Sequence, residues 1–190
     1  MNHHLEKATD ALKEDHRVIE RVLAVVERLT ERPQEASLET WRKTLGFIRD
    51  FADQCHHLKE EKLFFPLLEE RGIPRAGGPL GMMLLEHEEG RRYVQLMAAA
   101  LALAEEDPEA ARYSLVENAR AYLRLLREHI LKEDQILFNM ADEVLTEEEQ
   151  KKLVLEFEEH EEKEIGPGVH EKLLKIAQEL EGISAGFLPV

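Results

Sequence analysis

The chain has 190 residues, of which 43% are hydrophobic and 34% charged, a balance that suits one compact domain and not a disordered or membrane-spanning chain. A formal net charge of −15 repels phosphate groups, so neither nucleic acid nor a membrane surface is expected as the main partner. The single cysteine, Cys55, excludes an internal disulfide, and since neither a signal peptide nor a membrane-length apolar run is found, we expect a cytoplasmic protein.

Clustered glycines and prolines predict long helices joined by short connections. The first predicted helix covers residues 5–31 and ends before Pro33, because proline disfavours helix in the preceding residue. The second begins after the N-cap Ser37 and ends near residue 71, where Gly72 offers a left-handed stop.

A loop then leads to the third predicted helix, over residues 80–106. Asp107-Pro108, a cap followed by proline in the first turn, starts the fourth, which runs to about residue 141. Together these four helices predict an all-α bundle over residues 1–145, with up-down neighbours because the connections are short.

The remaining residues, 146–190, are predicted to form a C-terminal helical extension packed on the bundle. Thr146 and Glu149 have the spacing of a capping box, so a fifth helix begins there. Gly166-Pro167-Gly168 should break or kink it before a last helical piece over residues 171–180.

Each of the first four predicted helices carries an apolar seam at three- and four-residue spacing. One histidine lies on each seam, and the four are His16, His56, His87 and His129. The fourth seam is the most regular, and it also contains a glutamate. Its members are Leu115, Ala119, Tyr122, Leu126, His129, Glu133, Ile136 and Met140.

The second helix offers two His-x-x-x-Glu pairs, His56 with Glu60 and His57 with Glu61. At about 100° per residue the first pair falls on the apolar stripe, whereas the second shares a side with polar residues. We therefore predict that His56 and Glu60 point inward and that His57 and Glu61 do not. The stripe comprises Leu45, Ile48, Ala52, His56, Glu60, Leu63 and Leu67.

An internal match supports this choice. The segment HHLKEEKLFF from His56 aligns without gaps with HILKEDQILF from His129. Glu60 then matches Glu133, whereas His57 matches Ile130. This pattern indicates a structural repeat of two helix pairs.

Four imidazoles and two carboxylates in a bundle core lose hydration, so something must compensate them. Each His-x-x-x-Glu pair can present a nitrogen and an oxygen to one region. Six donors exceed the four of a structural zinc site but suit two metal ions bridged by the glutamates and an oxide, hydroxide or water. Donors without thiolate favour two iron ions, with manganese or zinc as alternatives, and zinc could replace iron in a recombinant sample.

These segments, with LLEHEEGR around His87, resemble the hemerythrin-like HHE cation-binding family over residues 8–141. The resemblance implies a hemerythrin-type four-helix bundle around a non-haem di-iron site. The donor set is similar to that of the iron-sulfur repair di-iron proteins. The implied ligands are four terminal histidines and two bridging glutamates, namely His16, His56, His87, His129, Glu60 and Glu133.

Two positions depart from the oxygen-carrying members of that family. Those members have His-x-x-x-His on the third helix, but here the second place is Arg91, which opens a coordination position or invites another ligand. His160 on the fifth helix could supply it, with packing as the alternative. The carriers also use His-x-x-x-x-Asp on the fourth helix, so Asp134 competes with Glu133.

Three functions follow as hypotheses. The first is a di-iron protein that binds or senses a small diatomic ligand, dioxygen or nitric oxide, or cellular iron. The alternatives are an oxidoreductase that detoxifies peroxide or nitric oxide, and a metal-stabilised interaction module.

The remaining chemistry-bearing residues have simpler interpretations. Cys55 could be a redox switch, but its apolar stripe favours a packed small side chain. We expect His3, His4 and His170 to be solvated and Tyr122 to lie in the core.

Overall fold

The computed structural model describes residues 7–186, and this part of the chain contains six helices and no strand. Helices α1 to α4 form the bundle; α5 packs on α1 and the second half of α2, and α6 packs on α1 and α2. The predicted all-α fold, a helical bundle with additional helical structure at its C-terminal end, is confirmed. The helices are α1 Ala8–Glu31, α2 38–70, α3 Pro79–Leu103, α4 108–144, α5 147–165 and α6 Val169–Ala185.

Local signals in the sequence set most of the helix ends. Ser37 and Asp107 each accept a hydrogen bond from the backbone N–H three residues on, and such N-caps stabilise a helix by about 1 kcal/mol. Thr146 and Glu149 form the predicted capping box of α5. Gly72 ends α2 with φ +91°, a conformation that glycine adopts without strain.

Some predicted limits shift. The third helix ends at Leu103 instead of residue 106, the fourth continues to residue 144, and the last helical piece spans Val169–Ala185 instead of 171–180. The predicted start of the first helix, at residue 5, lies outside the described residues. None of the described helices combines the length and apolar composition needed to cross a membrane.

Two apolar clusters flank the middle of the bundle. One is built around Trp41, Phe47 and Tyr122, and α6 adds buried side chains such as Leu180 to it. The other contains Phe64 and Phe65 of α2 and Phe138 of α4, and α5 adds Phe157. Both C-terminal helices therefore share the core of the bundle.

Both α2 and α4 contain π-helical turns, at Ile48–His57 and Glu60–Phe64 in α2 and at Glu133–Leu137 in α4. A hydrogen bond from residue i to i+5 places an extra residue in the turn, so the residues beyond it face a different direction from those of a regular α-helix. The turns at Glu60 and Glu133 start at matched positions of the internal repeat. The two turns therefore change the direction of the side chains beyond them in the same way in α2 and in α4.

For this reason the predicted seams are only partly correct beyond these turns. Ile136, predicted to face the core, is 55% exposed, and the next residue, Leu137, is buried. In α2 Phe64 and Leu68 are fully buried, whereas the predicted Leu63 and Leu67 are partly buried against the same cluster.

Candidate metal centre

The six predicted ligands lie together between the two apolar clusters, and each is at most 2% exposed. Their histidines approach one another in pairs. His16 Nε2 lies 3.0 Å from His56 Nε2, and His87 Nε2 lies 3.1 Å from His129 Nε2. One pair thus comes from α1 and α2, and the other from α3 and α4.

The two glutamates lie between these histidine pairs. Glu133 Oε2 is 3.3 Å from His16 Nε2 and 3.2 Å from His129 Nε2. Glu60 Oε2 is 3.6 Å from His56 Nε2 and 3.5 Å from His87 Nε2. Each carboxylate therefore reaches one histidine of either pair.

The donors accordingly form two four-membered groups that share both glutamates. Within each group the donor atoms lie within 4.8 Å of one another. This arrangement offers two neighbouring cation positions with common carboxylates. The groups are His16, His56, Glu60 and Glu133, and His87, His129, Glu60 and Glu133.

The chemistry of the donors fits metal ions. Glu60 and Glu133 are fully buried, yet none of their four oxygens has a hydrogen-bond partner in the described part of the chain. Burial of a carboxylate without hydrogen bonds is costly unless a cation compensates it. Imidazole nitrogens and carboxylate oxygens suit iron, and also zinc or manganese.

An outer carboxylate faces the Nδ1 of every one of the four histidines. An Nδ1–H that donates to a carboxylate holds the ring in place and leaves the Nε2 lone pair free to point inward. The Nδ1-to-oxygen distances are 2.7 Å for His16 to Asp134, 3.2 Å for His56 to Asp15, 2.7 Å for His87 to Glu61, and 3.0 Å for His129 to Glu86.

This outer layer follows the internal repeat. In each half, the carboxylate just before the first histidine, Asp15 or Glu86, faces the second histidine of the same half. The carboxylate that follows each inner glutamate, Glu61 or Asp134, faces the first histidine of the other half. The two halves of the centre are thus related by approximate two-fold symmetry.

The two inner glutamates differ in their electrostatic surroundings. Burial raises the pKa of Glu60 well above its usual value, and the nearby Glu133 adds to this effect. Burial acts on Glu133 in the same direction, but His129 and His16 outweigh it and hold its pKa well below the usual range. Burial disfavours the charged form of His129, but Glu133 and Glu86 raise its pKa to about 9.

The structure distinguishes between the alternative ligands that the sequence left open, namely Glu133 or Asp134, and His160. Asp134 makes its contact with His16 Nδ1, on the outer side of the ring, and Glu133 occupies the inner position. His160 belongs to neither four-membered group. Arg91 is paired with Asp53, Glu61 and Glu88.

The prediction that His57 and Glu61 face away from the core is wrong. His57 is 4% exposed, and its ring stacks on that of His87 with centroids 4.0 Å apart. A ring nitrogen of His57 lies within 4.8 Å of donor nitrogens of His87 and His129. Glu61 is the hydrogen-bond partner of His87. The periodicity of a regular helix missed both residues because they lie within and beside the π-helical turns.

The expectation of a solvated His170 is also wrong. Its side chain is 30% exposed, and Nδ1 lies 3.1 Å from Glu161 Oε2 and 3.9 Å from Cys55 Sγ. Cys55 is a buried packing residue, as favoured, and burial raises the pKa of its thiol to about 12. Tyr122 lies in the core as expected. His3 and His4 lie outside the described residues.

Comparison with known proteins agrees with this geometry. Uncharacterized proteins of Mycobacterium tuberculosis and Mycobacterium bovis are 25% identical to the chain over 162 residues, which are 84% of this chain and 63% of each relative. The chain thus spans less than two thirds of the length of these relatives. No solved structure matches it significantly. The profile of the hemerythrin HHE cation binding domain matches residues 7–141, and the chain therefore belongs to this family of metal-binding helical domains.

Proposed function

We propose that this protein is a non-haem di-iron protein that binds or senses a small diatomic ligand such as dioxygen or nitric oxide. One observation carries the proposal: two groups of buried donors share both of their carboxylates. His16 and His56 would hold one iron, His87 and His129 the other, and Glu60 and Glu133 would bridge them.

The number of protein donors also supports binding of an external ligand, because it leaves coordination positions open. Each iron would have two imidazoles and two shared carboxylates, fewer than the six ligands of an octahedral ion. A bound iron pair would supply redox-active Lewis-acid positions. The protein supplies the fixed orientation of the four imidazoles, through their outer carboxylates, and an apolar surround of Phe64, Phe65 and Phe138.

Metal analysis of protein prepared in air tests this proposal directly. We expect about two irons per chain, because two donor groups are present, and absorption bands of coupled ferric ions that zinc-loaded protein lacks. Exposing the reduced iron-loaded protein to dioxygen or to nitric oxide should change its spectrum. Two bound irons with no response to either gas would exclude the ligand-binding function, and one iron or none would exclude the di-iron centre.

Paired alanine variants of the adjacent histidines test the ligand assignment. His56→Ala removes a nitrogen that lies 3.0 Å from His16 Nε2, so we expect it to lower the iron content. His57→Ala removes a ring that stacks on His87 but belongs to neither four-membered group, so its iron content should stay nearer to that of the wild type. Equal losses would contradict the assignment.

A further inference from the structure

A solvent-facing cavity of about 280 Å³ lies between α2 and α3 and reaches His57. Its walls include Ile48, Asp53, Gly90 and Val94. His57 is both a wall of this cavity and a neighbour of the donor nitrogens of the α3–α4 half. The cavity therefore brings solvent as far as His57, a residue next to that half of the centre.

The orientation of His57 places it beside a cation position and not in the donor set. The rings of His57 and His87 are nearly parallel, with an angle of 16° between their planes. A nitrogen lone pair lies in the plane of its ring, so two imidazoles stacked face to face cannot both direct nitrogens at one ion. Since His87 Nε2 faces His129 and Glu60, His57 borders the position that His87 serves.

His57 also has a ring nitrogen without a hydrogen bond of normal length. Its Nδ1 is buried and has no hydrogen-bond partner among the described residues. Asp53 Oδ1 is 3.7 Å away, too far for a hydrogen bond, and already accepts one from Arg91 Nε at 2.8 Å. A buried polar atom without a partner is uncommon, and this one belongs to a residue that lines a cavity.

We propose that this cavity is the entrance for the small ligand, and that His57 forms a hydrogen-bonding wall for the ligand beside the His87–His129 cation position. The inference rests on the proposed function and adds the route and the polar contact. The ligand class is a diatomic or triatomic species with an acceptor atom, since polar donors next to a metal position govern binding of such species. In the internal repeat the residue that matches His57 is Ile130, which has no side-chain donor, so this hydrogen bond is available at only one of the two positions.

Azide titration of the iron-loaded full chain, followed by absorbance, tests the hydrogen bond. His57→Phe keeps an aromatic ring against His87 but removes the donor, and we expect azide affinity to fall by at least about ten-fold, the lower end of the range for loss of a hydrogen bond to a charged acceptor. His57→Gln keeps an N–H donor and should stay within about three-fold of the wild type. Both variants should retain the iron content and helical circular dichroism of the wild type.

The results of this titration can overturn the role of His57 without overturning the proposed di-iron function. Unchanged azide affinity in His57→Phe, an equal fall in His57→Gln, or a loss of iron in His57→Phe would each overturn the inference while the di-iron centre stands. If wild-type protein carries two irons but does not bind azide, dioxygen or nitric oxide, both fail.

The route has its own test. Val94→Phe adds bulk to the wall of this cavity, so the association rate of azide should fall several-fold with little change in the final amplitude. Ala98→Phe, one turn further along α3, lines a neighbouring cavity away from His57 and serves as the matched control. Equal rates in the two variants would exclude this entrance.

Discussion

Replacing Lys59 by methionine is expected to destabilise the protein by about 3–5 kcal/mol, the usual cost of removing one partner from a buried ion pair. Lys59 is 3% exposed, and its Nζ lies 2.6 Å from Asp15 Oδ2 and 2.5 Å from Glu161 Oε1. The methionine variant leaves these two carboxylates without a cation between them. Urea unfolding of the metal-free protein measures the loss.

The repeat provides the matched control, because Lys132 stands at the equivalent position and contacts Glu86. The Lys132 side chain is 36% exposed, so Lys132→Met should cost no more than about 1 kcal/mol. Equal destabilisation by the two variants would contradict the argument from burial.

The loss in Lys59→Met should also depend on pH. Burial disfavours ionisation of Asp15, but Lys59 and His56 outweigh it and hold the pKa of Asp15 well below its usual value. A lowered carboxylate pKa contributes stability that is complete above the unfolded-state value of about 4 and is lost as the pH falls further. The difference between wild type and variant should therefore be full at neutral pH and shrink below about pH 4.

The second large effect is expected from Glu133→Gln, which should abolish tight binding of both irons. Glu133 belongs to both donor groups, so its removal weakens two positions at once. At free iron about 1,000 times the dissociation constant, metal binding stabilises a protein by about 4 kcal/mol, or roughly 8–16 °C in Tm for a chain of this size. The variant should lose most of this increment, as measured by thermal unfolding with and without iron.

Asp134→Asn is the control for that experiment, since the two residues are adjacent and carry the same charge. Asp134 contacts the outer nitrogen of His16, and loss of such a contact typically weakens metal binding 10- to 100-fold. We therefore expect Asp134→Asn to bind two irons at high metal concentration. If Asp134→Asn lost iron completely and Glu133→Gln did not, the inner ligand would be Asp134.

The contacts of Lys59 give the C-terminal helices a role in the centre. Glu161 in α5 pairs with Lys59, Lys59 with Asp15, and Asp15 with His56. Burial disfavours ionisation of Glu161, but His170 and Lys59 outweigh it and lower its pKa. A chain of polar contacts thus links one candidate ligand to a residue outside the segment that matches the family.

The sequence by itself determined the helices, their caps and the six candidate ligands, because N-caps, seam spacing and His-x-x-x-Glu pairs act within one or two turns of a helix. It also revealed the repeat on which the approximate two-fold symmetry of the centre is built. Only the tertiary structure decided that His57 is buried and that Ile136 is exposed, since both depend on π-helical turns whose wider geometry a regular periodicity does not contain. It likewise decided the pairing of each imidazole with its outer carboxylate and of Lys59 with Glu161, because these contacts join side chains from helices far apart in the chain.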